Sequence, residues 1–233
     1  MKRYTRHAKL QFGLVRNSAL ALLVCLTGTG CVTATVQEIR QSDTSMGEGD
    51  AIVVLGRRNR PSAAQTELDF VDCVSRNMAG GGNRVTVITE QDFMDALFPW
   101  FEPRTAPLKS AELPALLNEA RLAERIQEIG LKYLVWVEGN TRRVDQAGSL
   151  SCTATPGGAG CFGFLTWEND SDYEASIWDA HTGRTVGRVS SEAAGTSYIP
   201  AVVVPIPLIA RVQASACSGL ADQLKSFVQN SPG

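Results

Sequence analysis

The sequence predicts an α/β (α+β) fold: a single mixed β-sheet with helices packed on it and an antiparallel meander in the C-terminal half. Three observations predict it. Short apolar runs alternate with helical periodicity through the first half of the 233-residue chain. From residue 131 onward, strand-like runs follow one another across turn-rich separators. The chain then closes on apolar residues at helical spacing. Strands alternating with helices, followed by strands in succession, describe one sheet with helices laid on it.

Each element has a local reason. Residues 52–55 are a short apolar run ended by Gly56, the pattern of a buried strand. Arg57, Arg58 and Arg60 before Pro61 read as a loop. Ser62 can cap a helix running to about Ala79, with Phe70, Val71, Val74 and Met78 on its apolar face and Cys73 at the border. The three glycines 80–82 stop it. Residues 85–88 are the next strand. Thr89 with Asp92 matches a capping box and opens a short helix, because Pro99 follows Phe98. Pro114 suits a helix start, where its missing N–H costs nothing. Leu116, Ala120, Ala123 and Ile126 continue that helix to Gly130.

Residues 131–137 are nearly apolar on both faces and read as a central strand. A weaker strand covers 142–150. Strands over 162–167 and 173–178 are separated by a turn-rich linker, 168–172. Asp179, Thr182 and Gly183 form a tight turn into a strand over 185–191. The Pro-broken apolar stretch 198–210 leads to a last helix, with Cys217, Leu220, Leu224, Phe227 and Val228 on one face. No alternating run reaches the about 9–11 residues that a bilayer-crossing strand needs.

The start of the chain reads as an address. Lys2, Arg3, Arg6, Lys9 and Arg16 precede an apolar run over 19–26, then Thr27, Gly28, Thr29 and Gly30. A charged region, a short apolar region and small residues before a cut site make an export signal. The apolar run is shorter than the about 20 residues a spanning helix requires. Cys31, directly after the small residues, resembles the lipobox of bacterial lipoproteins in its relaxed form, with Gly28 three residues before the cysteine. The resemblance implies cleavage after residue 30 and a covalent lipid, palmitate included, on Cys31. Val32 in second place resembles an outer-membrane address. The organisation read from this is a signal peptide over 1–30, a lipidated flexible tether over 31–50 and one α/β domain over 51–230.

Loss of residues 1–30 takes five Lys/Arg and no acid, leaving 17 basic against 24 acidic residues. That balance argues against a nucleic-acid partner. Attachment to a membrane then rests on the lipid, with no polybasic patch to help it. Four further cysteines remain, and an even number in an oxidising compartment suggests two disulfides. Of three connectivities, Cys152–Cys161 is favoured because it closes a Gly-rich loop. That leaves Cys73–Cys217, joining an early helix to the last. No C-x2-4-C pair occurs, so no metal site is read.

No catalytic residue is assigned. His181 is the one histidine left after cleavage, and it sits in a turn. G-x-S-x-G, the P-loop and H-E-x-x-H are all missing. Asp69 with Asp72, or Glu168 with Asp170 and Asp172, could serve general acid–base work, which keeps a periplasmic hydrolase as an alternative. Binding has better candidates. Phe98, Trp100 and Phe101 form an aromatic, Pro-flanked loop of a kind enriched at interfaces. The stretch 198–209 would make an apolar lip against a membrane or a partner.

An exported lipoprotein with β-α-β-α-β order, an Asp179, Thr182, Gly183 hairpin and a C-terminal helix resembles a known group. The group includes the amino-terminal domain of TolB, the curli-secretion lipoprotein and the lipoprotein activators of penicillin-binding proteins. The resemblance covers about residues 51–229. It implies a non-enzymatic binding, adaptor or assembly factor, lipid-anchored on the periplasmic face of the bacterial outer membrane, acting on another envelope protein or on itself. It needs no cofactor beyond the lipid on Cys31. A further alternative is a subunit of an oligomeric outer-membrane export channel.

Overall fold

The computed structural model describes residues 32–58, 65–82, 84–205 and 207–229. The expected signal peptide, Cys31 and the Ser62 cap lie outside the described residues. The strands are β1 (Val32–Arg40), β2 (Ala51–Gly56), β3 (Val87–Ile88), β4 (Leu131–Thr155), β5 (Gly158–Asp179) and β6 (Arg184–Pro205). The helices are α1 (Leu68–Ala79), α2 (Glu90–Ala96), α3 (Leu113–Leu117), α4 (Ala120–Glu128) and α5 (Val212–Gln229), with a 3₁₀ turn at Ser110–Glu112. One six-stranded sheet runs in the order β1-β6-β5-β4-β2-β3. β2 pairs in parallel with β3 and β4, and β1 pairs antiparallel with β6. The fold class is therefore a mixed α/β sheet with helices packed on it.

Four expectations are corrected. Residues 32–40, expected in a flexible tether, form β1, with every residue from Val32 to Arg40 in register with Gly195 back to Gly187. An edge strand with one solvated face carries a weak apolar signal, which is why it read as polar linker. The meander strands are also far longer than expected, at 25, 22 and 22 residues. The expected linker at 168–172 lies inside β5. The expected single helix after Pro114 is two, α3 and α4, parted at Asn118 and Glu119.

All six residues of β2 are buried, as a parallel strand covered on both faces requires. Alternation along β4 sends Leu134 and Trp136 to one face. There they join Val53, Leu55, Phe93 of α2, Leu117 of α3 and Ile126 of α4 in one core cluster. Tyr133, Val135 and Val137 point to the other face, over which α1 and α5 lie. The Cys73–Cys217 disulfide joins those two helices. Arg40 ties β1 to α5: its guanidinium lies 4.0 Å over the Phe227 ring and donates to Thr44 Oγ1 at 2.7 Å and Phe227 O at 3.0 Å.

The β5–β6 turn is built as its residues predict. Asp179 Oδ1 accepts from the backbone N–H groups of His181 and Thr182 at 3.0 and 2.8 Å. Gly183 takes φ 62°, and a Cβ there would meet Asn118 Nδ2 at 2.8 Å. Both constraints select glycine.

Contacts group the chain into two compact units. The sheet–helix unit comprises Val32–Asp145, Glu168–Gly195 and Arg211–Gly233; among described residues the strand unit comprises Gln146–Trp167 and Thr196–Ala210.

Candidate interaction surface

The strand unit is set apart by its composition. Gln146–Trp167 and Thr196–Ala210 contain no Asp, Glu, Lys, Arg or His, in a chain of which 20% is charged. Ten such residues lie on β4 (146–155), ten on β5 (158–167) and ten on β6 (196–205). Charge resumes immediately outside, at Asp145, Glu168 and Arg211.

Small residues build the β4–β5 hairpin. Pro156 and Gly157 make its turn, and Thr155 Oγ1 donates to Gly158 O at 3.1 Å. The Cys152–Cys161 disulfide bridges the two strands with 4.0 Å between Cα atoms. Thr166 Oγ1 donates to Ala147 O at 3.3 Å. At Gly148 and Gly163, which take φ of 85° and 135°, a Cβ would run into the opposite strand's carbonyls, so glycine is required for the approach. The disulfide register and strand alternation sort the side chains. Leu150, Leu165 and Trp167 share the disulfide's face. Ser149, Ser151, Thr153, Phe162 and Phe164 share the other.

Phe164 sits 6.1 Å from Tyr198 of β6, ring centre to ring centre. Tyr198 and Leu208 exchange two backbone hydrogen bonds of 2.8 Å, and Ala210 N donates to Ser197 Oγ at 3.0 Å. The chain thus turns back beyond β6. Between Tyr198 and Leu208, Val202 is 80% and Val204 66% exposed. Phe162, Phe164, Tyr198 and Ile209 are exposed as well. Large exposed apolar surface marks a place where something else binds.

The aromatic loop divides. Phe98 is exposed. Trp100 is half-buried and donates from Nε1 to Glu119 Oε2 at 2.7 Å. Phe101, expected to bind a partner, is buried and meets Phe93 edge-to-face at 4.6 Å. It is a core residue, since the turn after Pro99 swings its ring inward beneath α2.

The titratable candidates fall at three separate places. His181 is exposed on its turn, and Asp69 and Asp72 are exposed on α1. Asp170 and Asp172, with Arg142 and Glu192, line an open depression of about 360 Å³ on the sheet–helix unit. Among the described residues, no three His, Cys, Asp or Glu side chains are grouped to hold a metal. Sequence reasoning missed the strand unit because it searched for alternation. The signal that could have found it is the unbroken lack of charge over 146–167.

No protein-family model matches the chain, and no curated protein does. Among solved structures it is similar to a point variant of the PelC dodecamer from Paraburkholderia phytofirmans, at 12% identity and a TM-score of 0.41. A second crystal form of the PelC dodecamer from the same organism gives 12% identity and a TM-score of 0.40. Each comparison covers 85% of this chain and 100% of the other.

Proposed function

We propose that this is an exported, non-enzymatic envelope protein, lipid-anchored through Cys31 on the periplasmic face of the outer membrane. Its strand unit enters the bilayer, and its copies assemble side by side as subunits of an export channel. One observation carries the reading: three strand segments of ten uncharged residues each, bearing exposed aromatic and branched apolar side chains. A tilted strand needs about 9–11 residues to cross the hydrocarbon core.

Membrane entry and self-association are linked by hydrogen bonding. Among the described residues, β2 accompanies β4 only to Val137, and β1 accompanies β6 only between Gly187 and Gly195. Among the described residues of the strand unit, β4 and β6 therefore carry open edges, relieved on β6 by the Tyr198–Leu208 bridge. Hydrocarbon does not tolerate open sheet edges, whereas a closed barrel has none. Further copies would supply the missing strands. A lipid on Cys31 would hold each copy at the surface where that assembly occurs, and the several chains of a lipoprotein anchor suffice where one would not.

Pro200 and Pro205 favour a second reading, because proline interrupts a ladder and belongs at edges. In that reading the apolar lip docks on another envelope protein, and the chain is an adaptor. Extraction in mild detergent followed by native mass measurement and planar-bilayer recording separates the two. A large homo-oligomer with ion conductance supports the channel subunit. A complex with a second protein and no conductance supports the adaptor, and a silent monomer removes both.

A further inference from the structure

We infer that the Cys152–Cys161 disulfide is a redox latch on the β4–β5 hairpin: oxidised, it sets the strand register, and reduced, it releases the hairpin and closes the route into the bilayer. The effect on membranes rests on the bilayer-entering reading above. The latch itself rests on the hairpin's own geometry.

Register is specified where one face of a strand is buried, and it slips in Gly-rich strands that lack such a face. This hairpin lacks one. No residue from 146 to 167 is buried, and thirteen of these 22 residues are Gly, Ala, Ser or Thr. Gly148 and Gly163 let the strands approach but bring no side chain to hold them. The covalent bridge does here what a core does elsewhere. A slip of one residue by β4 would move Leu150 to the face of Phe162 and Phe164 and bring Ser149 and Ser151 to that of Leu165.

The two disulfides differ in access. Cys152 is exposed and Cys161 half-exposed. Cys217 is fully buried, Cys73 is half-buried, and Asn77 Nδ2 lies 3.4 Å from both of their sulfurs. A small dithiol therefore reaches the hairpin bridge first. Its thiolate attacks one sulfur and forms a mixed disulfide. Its second thiol then displaces that cysteine, closing an oxidised ring and leaving Cys152 and Cys161 as thiols. Two electrons and two protons pass from dithiol to protein.

The test treats the full chain with dithiothreitol under native conditions. Released thiols are mapped by mass spectrometry, and backbone hydrogen exchange is followed over 146–167. Dye release is measured from phosphatidylethanolamine–phosphatidylglycerol vesicles. Labelling is expected at Cys152 and Cys161 but not at Cys73 and Cys217. Exchange in the hairpin should rise at least tenfold and dye release fall at least fivefold, with recovery on reoxidation. A C152S/C161S double variant should reproduce the reduced state. Exchange within twofold of the oxidised protein, or undiminished dye release after reduction, overturns the latch. If the oxidised protein releases no dye, the bilayer reading fails, and the exchange data still decide whether the bridge holds the register.

Discussion

The Tyr173 ring lies flat on Phe70, with centroids 3.4 Å apart and planes within 5°. The contact ties β5 to α1. Beyond the stack, the Tyr173 hydroxyl donates to Glu67 Oε2 at 3.0 Å and lies 2.9 Å from Thr141 Oγ1. Glu67 Oε1 in turn accepts the Thr141 backbone N–H at 2.8 Å. The residue just before α1 thereby holds β4 at the point where β2 has left it.

Truncating this contact separates packing from hydrogen bonding. Tyr173→Phe keeps the stack but strips Glu67 of a donor, and should cost about 1–3 kcal/mol. Tyr173→Ala should cost about 3–5 kcal/mol, as for other large buried aromatics. Urea unfolding monitored by circular dichroism measures both. Burial pushes the Tyr173 phenol well above its ordinary value, with Glu67 adding to the rise and Thr141 and Gln213 opposing it. The folded state therefore holds this proton more tightly than the unfolded state. The associated stability is complete below the unfolded value, about 10, and is lost as pH rises above it, by up to about 1.4 kcal/mol per pH unit. Wild type minus Tyr173→Phe, measured between pH 9 and about 11, should show that slope.

The aromatic loop should respond unequally. Phe101→Ala removes a ring seated against Phe93 and should destabilise by about 3–5 kcal/mol. Phe98→Ala touches an exposed ring and should stay within about 0.5 kcal/mol of wild type. Equal midpoints in denaturant would refute the assignment of Phe101 to the core.

The β5–β6 turn offers a local test. Gly183→Ala must place a side chain at positive φ and against Asn118, so it should lower stability by more than about 1 kcal/mol. Thermal unfolding at fixed protein concentration reads the change.

Charge placed in the strand unit should act on membranes rather than on folding. Phe162→Arg and Val202→Arg should each weaken bilayer insertion by about 2–4 kcal/mol if the position reaches the midplane. In buffer, both exposed sites should leave stability within about 0.5 kcal/mol of wild type. Vesicle flotation of a chain lacking residues 1–31 isolates this effect from any lipid.

Cys31→Ser tests the anchor. Wild type should fractionate with outer membranes and carry a lipid mass on a mature chain beginning at Cys31. The variant should lose that mass and leave the membrane fraction.

Much of the sheet–helix unit was legible because its signals come from burial. Residues 52–55 and 131–137 are apolar since both faces are covered, and Leu220, Leu224 and Phe227 share a face since α5 packs on the sheet. The Gly-rich loop and the distant cysteine pair pointed to the two disulfides. Legibility failed where burial fails. β1 keeps one side in solvent, so its threonines and charges read as linker. In the strand unit no residue from 146 to 167 is buried, so these stretches of β4 and β5 show none of the alternation that marks a half-buried strand. Phe101 illustrates a further limit, because Phe98 and Phe101 are alike in sequence and only the path of the chain decides which one is covered.

The place where β1 begins changes the mechanics of attachment. A free leash of the 19 residues from 32 to 50 would let the body wander over roughly 24 Å. With Val32 already paired in the ladder, a lipid on Cys31 would have no leash. The folded body would sit directly on the headgroups, with one edge of the sheet as its foot. Any pull on that foot would run along nine paired residues in shear, the loading direction in which a ladder must break its bonds together rather than one by one.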